Sequence, residues 1–113
     1  MNLKTNKLKI LILYKKFLYN IENILINVPK KDYISRSNFY NKSLELLELI
    51  YYTNLINNKL DNQLLILSKL SVLDYYIERL YKNRYISESY SIKLSKELNE
   101  ITKLIYGWIK QTN

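Results

Sequence analysis

The sequence predicts an all-α protein, an up-down-up-down four-helix bundle, and three observations lead to this prediction. The chain has 113 residues, of which 48% are hydrophobic, so one domain spanning residues 1–113 has enough apolar surface for a core. It contains one glycine and one proline, too few for the tight turns of a β-rich fold. Apolar residues recur every three or four positions in four segments, which is typical of helices packed in a bundle.

The first predicted helix spans residues 6–27. Its apolar stripe, with a 4-3-4-3-4 spacing, consists of Ile10, Tyr14, Phe17, Ile21, Ile24 and Val28. Pro29 ends this helix, because proline disfavours helical geometry in the residue before it. The linker after Pro29 offers two N-caps for the next helix, Asp32 and Ser35.

The second predicted helix, residues 37–57, is apolar around most of its circumference. Its polar strip is narrow and consists of Asn41, Glu45 and Glu48. A helix of this kind is buried on more than one side, whereas each helix of a four-helix monomer keeps one face in water. We therefore expect a second contact, between copies of the chain, with Leu46, Leu49 and Ile56 as packing or oligomer residues.

The third predicted helix spans residues 62–83, with Asp61 as its candidate N-cap. Its apolar stripe consists of Ile66, Leu70, Leu73, Ile77 and Leu80. On its exposed side, Asp74, Glu78 and Lys82 form an i, i+4 ladder. The fourth helix begins at Ser87, a good cap, with Glu88 in the first turn. Its stripe consists of Tyr90, Leu94, Leu98, Ile101, Ile105 and Trp108.

Gly107, the only glycine, lies beside Trp108, the only tryptophan, in the last predicted helix. Glycine inside a helix costs about 1 kcal/mol relative to alanine, so a compensating contact is expected. A missing Cβ allows another helix to approach closely while Trp108 buries its ring. The alternative is that Gly107 ends the helix as its C′ residue. Ile109 and Lys110 continue the helical pattern and favour the packing role for Gly107 and Trp108.

The residue types that the chain lacks argue against catalysis. It has no cysteine and no histidine, which excludes thiolate metal sites, the Glu-x-x-His di-iron pattern and a near-neutral imidazole base. There is no glycine-rich phosphate loop and no nucleophile elbow. The sequence therefore predicts a protein that is not an enzyme and that has no catalytic residue, metal site or cofactor.

The net charge of +8 is distributed unevenly, since residues 1–31 carry seven lysines and one glutamate. Such asymmetry indicates an anionic partner, either nucleic acid or a membrane surface, although lysines that only maintain solubility remain an alternative. A membrane is disfavoured because the apolar face of residues 3–19 is already used by the bundle. The uncharged run over residues 10–14 is also too short for a signal peptide or a span. We expect a cytoplasmic protein.

Two stretches interleave bases with aromatic rings, YKKFLY (14–19) and RLYKNRY (79–85). Tyr14, Phe17 and Leu80 belong to the core stripes, so the bases alone are candidates for function. The predicted phosphate contacts are Lys15, Lys16, Lys30, Lys31, Arg79, Lys82 and Arg84.

The order of four stretches resembles a known family. These are VPK (28–30), SLELLELIYYTN (43–54), LDYYIERLYKNRYIS (73–87) and ITKLIYGWIK (101–110). The pattern is similar to the accessory variability determinant (Avd) proteins of diversity-generating retroelements. Their relatives include the four-helix proteins encoded in 23S rRNA intervening sequences. Tyr106 departs from the family pattern, which often has a second glycine there.

The resemblance implies a function that composition alone does not give. Proteins of the Avd family are small basic four-helix bundles that assemble as pentamers and are not enzymes. They bind nucleic acid, RNA or DNA, and the reverse transcriptase of the element, and they support mutagenic reverse transcription. The alternative is a stand-alone protein of the intervening-sequence type with a structural or RNA-associated role.

Overall fold

The computed structural model describes residues 3–113 of the chain, with side chains from Lys7 onward. Four helices follow one another: α1 (Leu3–Leu25), α2 (Tyr33–Leu55), α3 (Leu60–Lys82) and α4 (Glu88–Thr112). Within this described part there is no strand. The predicted all-α four-helix bundle is confirmed.

Short connections reverse the chain after each helix, which makes successive helices antiparallel neighbours. The connections comprise residues 26–32, 56–59 and 83–87. Each helix contacts the next, and α1 also contacts α4, so the four helices enclose one core. A helix of 23 residues is about 35 Å long, which accounts for most of the 44 Å long axis of the molecule.

The core forms where the predicted stripes meet. The α3 stripe is buried throughout, and so is the α4 stripe from Leu94 to Trp108. In α1, Leu25 is buried while Ile24, predicted for the core, is only half-buried. Ile24 is turned toward the seam with α4, where it lines a surface groove with Tyr90, which is also half-buried. Ile24 and Tyr90 therefore pack against the edge of the core rather than inside it, while Val28 is buried as predicted.

Three helices start earlier than predicted, α1 at Leu3, α2 at Tyr33 and α3 at Leu60. A single 3-10 turn, Lys30–Asp32, precedes α2, which begins at Tyr33 rather than at residue 37. Asp32 occupies the N-cap position of α2 without a side-chain capping bond, because its carboxylate accepts a hydrogen bond from Tyr85 instead. Asp61 lies in the first turn of α3, and Lys59 holds the cap position. Ser35 was not needed as a cap.

The start of α4 is as predicted. The Ser87 Oγ accepts a hydrogen bond from the Tyr90 amide at 3.1 Å, and Glu88 lies in the first turn. Gly107 lies inside α4, with helix continuing to Thr112, so the C′ alternative is wrong. Gly107 is half-buried beside the fully buried Trp108. Close packing of another helix against Gly107 remains a prediction.

The second helix exposes apolar residues, as its composition suggests. Leu46 is fully buried in the core of the single chain, Leu49 packs against that core, and Ile56 is half-buried just after the helix. The apolar side chains of α2 that remain exposed are Tyr33, Ile34, Leu44, Tyr51, Tyr52 and Leu55. Leu46 and Trp108 therefore pack within one chain, and a contact between copies would use these exposed residues.

Candidate nucleic-acid interface

All seven predicted phosphate contacts are exposed, but they form two groups. Lys15 and Lys16 lie midway along α1. The other five lie at one end of the bundle, on the α1–α2 and α3–α4 connections and the last turn of α3: Lys30, Lys31, Arg79, Lys82 and Arg84. Lys15 and Lys30 are separated by 15 residues, about 20 Å of helix axis. The fold thus brings five of the seven bases together.

A hydrogen bond joins the two connections at this end. The Tyr85 hydroxyl donates to the Asp32 carboxylate, which links residues 53 positions apart. Next to this bond, Arg79 and a further arginine, Arg36, line one small internal cavity together with Asn83. This bond therefore holds together the two connections that carry Lys30, Lys31 and Arg84.

Arg36 is a member of this group that the sequence reasoning missed. Its guanidinium lies over the Tyr33 ring, 5.1 Å from the ring centroid, and the residue is half-buried. Tyr33 and Arg36 are at i and i+3, which makes them neighbours only if the helix already includes residue 33. The predicted helix began at residue 37, so Tyr33 and Arg36 were not expected to lie on one helix face. We call the six residues Lys30, Lys31, Arg36, Arg79, Lys82 and Arg84 the basic end.

Arg84 is held in an unusual backbone conformation. Its φ is +64°, in the left-handed region that favours glycine. The Tyr85 amide donates to the Leu80 carbonyl at 3.0 Å, and the Arg84 amide donates to the Tyr81 carbonyl at 2.9 Å. These two bonds form a Schellman motif with Arg84 as the C′ residue of α3. The chain places a long cation where most helices have glycine.

The remaining bases differ in how far their charge is neutralised. The Lys82 Nζ lies 2.8 Å from the Glu78 carboxylate, and this hydrogen bond raises the pKa of Lys82. The Arg79 Nη1 donates to the Tyr75 hydroxyl at 3.2 Å, a neutral partner. The Lys15 Nζ lies over the Tyr51 ring, 5.4 Å from its centroid. Lys82 therefore offers less positive charge to a phosphate than Arg79 does.

Acidic side chains only partly offset the basic end. They are Glu22, Asp32, Glu78 and Glu88, against six bases. Positive charge concentrated in this way attracts polyanions, and long flexible bases adapt to phosphate groups without reading sequence. The arrangement suits contact with a phosphodiester backbone.

Other kinds of site are not evident in residues 3–113. There, no three His, Cys, Asp or Glu side chains come together as a group that could hold a metal ion. Over the same range, none of the helices is both long and apolar enough to cross a membrane. Glu45 and Glu48 are exposed on α2, as predicted, beside Lys69. Comparisons of the chain with protein-family models, with curated proteins and with solved structures find no match.

Proposed function

We propose that this protein is a non-enzymatic accessory protein of a diversity-generating retroelement. In this proposal it acts in the cytoplasm as a basic homo-oligomer, a pentamer by resemblance, that binds nucleic acid and the reverse transcriptase. The observation that carries the nucleic-acid part is the basic end, where the two connections joined by the Asp32–Tyr85 bond and the adjoining turns of α2 and α3 carry six bases. The reverse transcriptase and the pentamer rest on the resemblance to the Avd family.

The exposed apolar side chains of α2 support an oligomer. Leu44, Tyr51 and Leu55 lie along one side of α2, and Leu55 is 83% exposed. On α1, Leu8, Ile12 and Tyr19 are exposed on the side toward α2, since Lys15 on the same stripe contacts Tyr51. Together these residues form an apolar surface, and such surfaces mark interfaces. A monomer mass from light scattering at micromolar concentration would contradict this part of the proposal.

A pair of charge-matched variants tests nucleic-acid binding. The variant Lys30→Gln/Lys31→Gln removes two bases from the basic end, and Lys103→Gln/Lys110→Gln removes two exposed bases from α4. If both lysines of the first pair contact phosphates, the log–log salt slope of single-strand binding falls by about 1.4, since each contact releases counterions. The control pair leaves the slope unchanged. Equal losses in both variants would show a diffuse effect of net charge, which contradicts a localised interface.

A separate experiment tests the partner. The chain is co-expressed with the reverse transcriptase of its own locus, and the complex is purified in high salt after nuclease treatment. Survival of the complex supports a protein–protein interface, because shared RNA has been digested and exposed ion pairs are screened. Loss of the complex with nuclease, or a locus without a reverse transcriptase, favours the stand-alone protein of the intervening-sequence type.

A further inference from the structure

A groove opens beside the basic end, between the last turns of α1 and the first turns of α2. Its volume is about 450 Å³, and it is lined by Glu22, Leu25, Ile26, Tyr33, Arg36, Ser37 and Tyr40. Ile26 and Tyr33 are 74% and 54% exposed, while Leu25 is buried below them. The groove therefore combines an apolar floor with accessible aromatic surface.

Arg36 connects this groove to the basic end. It lines the groove on one side and the small cavity with Arg79 on the other. The 3-10 turn that carries Lys30 and Lys31 runs directly into Tyr33 at the mouth of the groove. If the phosphates of a nucleic-acid strand lie on Lys30 and Lys31, the next nucleotide of that strand lies at the groove.

The polar groups inside the groove suit a nucleobase rather than a phosphate. The Tyr40 hydroxyl donates to Glu22 Oε1 at 3.2 Å, and the negative charge of Glu22 raises the pKa of Tyr40. The carboxylate repels a phosphate, but its oxygens accept hydrogen bonds from the exocyclic amino group of a base. The Arg36 guanidinium covers one face of the Tyr33 ring, and the other face of this exposed ring offers a stacking surface for a nucleobase. Exposed aromatic rings beside lysines and arginines are typical of single-strand recognition.

We propose that the groove between α1 and α2 binds one unpaired nucleobase of a single-stranded nucleic acid whose backbone lies on the basic end. Tyr33 stacks on the base, Glu22 accepts from its amino group, and Arg36 contacts the adjoining phosphate. A base in a duplex cannot enter, because its faces are covered by its neighbours. This inference rests on the proposed nucleic-acid binding and adds that the preferred substrate is unpaired.

The test uses two fluorescent probes of the same length, a single-stranded oligonucleotide and an oligomer with the same backbone that lacks every base. Tyr33→Ala is expected to weaken binding of the oligonucleotide about tenfold, the usual order for losing one base–aromatic stack. Binding of the base-free oligomer weakens much less, since there only the support of the Arg36 guanidinium by the ring is lost. Tyr33→Phe retains most of the affinity because its ring still stacks. The matched control is Tyr106→Ala, since Tyr106 is 59% exposed on α4, away from the groove.

The outcomes separate the groove from the basic end. Equal effects of Tyr33→Ala on both probes, or no effect on either, overturn the base-binding groove while nucleic-acid binding stands. A tenfold loss in Tyr106→Ala also overturns it. If neither probe binds the native chain at low ionic strength, the proposed function fails first. If Tyr33→Ala changes the oligomer mass and leaves both affinities unchanged, a second copy of the chain occupies the groove, which overturns the proposal.

Discussion

The two ends of the bundle use the same residue types in opposite ways. At the end formed by the α2–α3 connection and the last turn of α4, the side chains of Lys59, Gln63 and Asn113 bond to their own chain. The Lys59 Nζ donates to the main-chain carbonyls of Thr53, at 3.0 Å, Asn54 and Ile56. These are carbonyls at the end of α2, which have no partner within the helix. Partial burial lowers the pKa of Lys59. We call this the closed end.

The closed end also contains a buried polar group. Gln63 is fully buried, and its Nε2 donates to Thr112 Oγ1 at 3.0 Å. Its Oε1 accepts from Asn113 Nδ2 at 3.1 Å. The basic end instead exposes all of its lysines and arginines except Arg36, which is half-buried. The comparison teaches that a lysine is structural or functional according to its partners, because a cation already bonded to carbonyls has little left for a phosphate.

The largest expected effect is at the closed end. Trp108 is completely buried one turn before Thr112, so Trp108→Ala removes the largest side chain of the core. We expect a loss of about 3–5 kcal/mol in the free energy of unfolding, measured by urea denaturation. Trp108→Phe is the milder control. Nucleic-acid affinity of the folded fraction does not change, and a lost affinity would show that the two ends are coupled.

The next effect tests the packing of Gly107. Gly107→Leu inserts a side chain on a half-buried position of α4, where overpacking costs about 1–3 kcal/mol. The control is Tyr106→Leu, one position along on an exposed site, with a cost below about 0.5 kcal/mol. The thermal midpoints of the two variants are compared. Equal midpoints would remove the argument that another helix approaches Gly107.

A third substitution separates stability from binding at the basic end. Arg84→Gly relieves the positive φ and is expected to stabilise the fold by about 1 kcal/mol, while nucleic-acid binding weakens. Arg84→Asn tolerates the same backbone and also lacks the charge, so it should weaken binding equally. Urea denaturation and a salt titration measure the two properties. A more stable variant with native affinity would show that Arg84 does not contact phosphate.

The smallest effect is at the cap of α2. Lys59→Met keeps the apolar stem but removes the ammonium that bonds to three carbonyls. We expect a loss of about 0.3–1 kcal/mol, because water replaces these contacts in part. The salt slope of nucleic-acid binding should not move. A lower slope would place Lys59 among the phosphate contacts and would weaken the distinction between the ends.

The helices were predictable because their stripes repeat over five or six turns. The stripe from Ile66 to Leu80 is buried at every predicted position, because a regular helix places all of these residues on the same face. The start of α2 was not predictable in the same way. α1 ends at Leu25, before Pro29, and α2 begins at Tyr33 after Asp32, whose carboxylate bonds to Tyr85 rather than capping the helix. That bond depends on a residue more than fifty positions away.

Five of the six residues of the basic end were predicted from the sequence, but their grouping was not. Arg79 and Arg84 stood out because they alternate with aromatic rings, and topology brings them together with Lys30. Lys15 was predicted with them because it lies in a similar stretch of sequence, yet it is on the middle of α1. Arg36 was missed because its pairing with Tyr33 requires a helix that begins earlier. The left-handed conformation of Arg84 was not predictable from the sequence, because a positive φ is expected at glycine and not at arginine.

The positions of one glycine and one arginine have a consequence for redesign. The chain has its single glycine inside a helix, where alanine is preferred, and an arginine at a C′ position, where glycine is preferred. A method that scores each residue by its local backbone preference would exchange both residues. At position 84 the exchange would gain stability and delete a cation from the basic end, whereas at position 107 it would add a side chain beside Trp108, where close packing is predicted. Local backbone preference is therefore a poor guide at both positions.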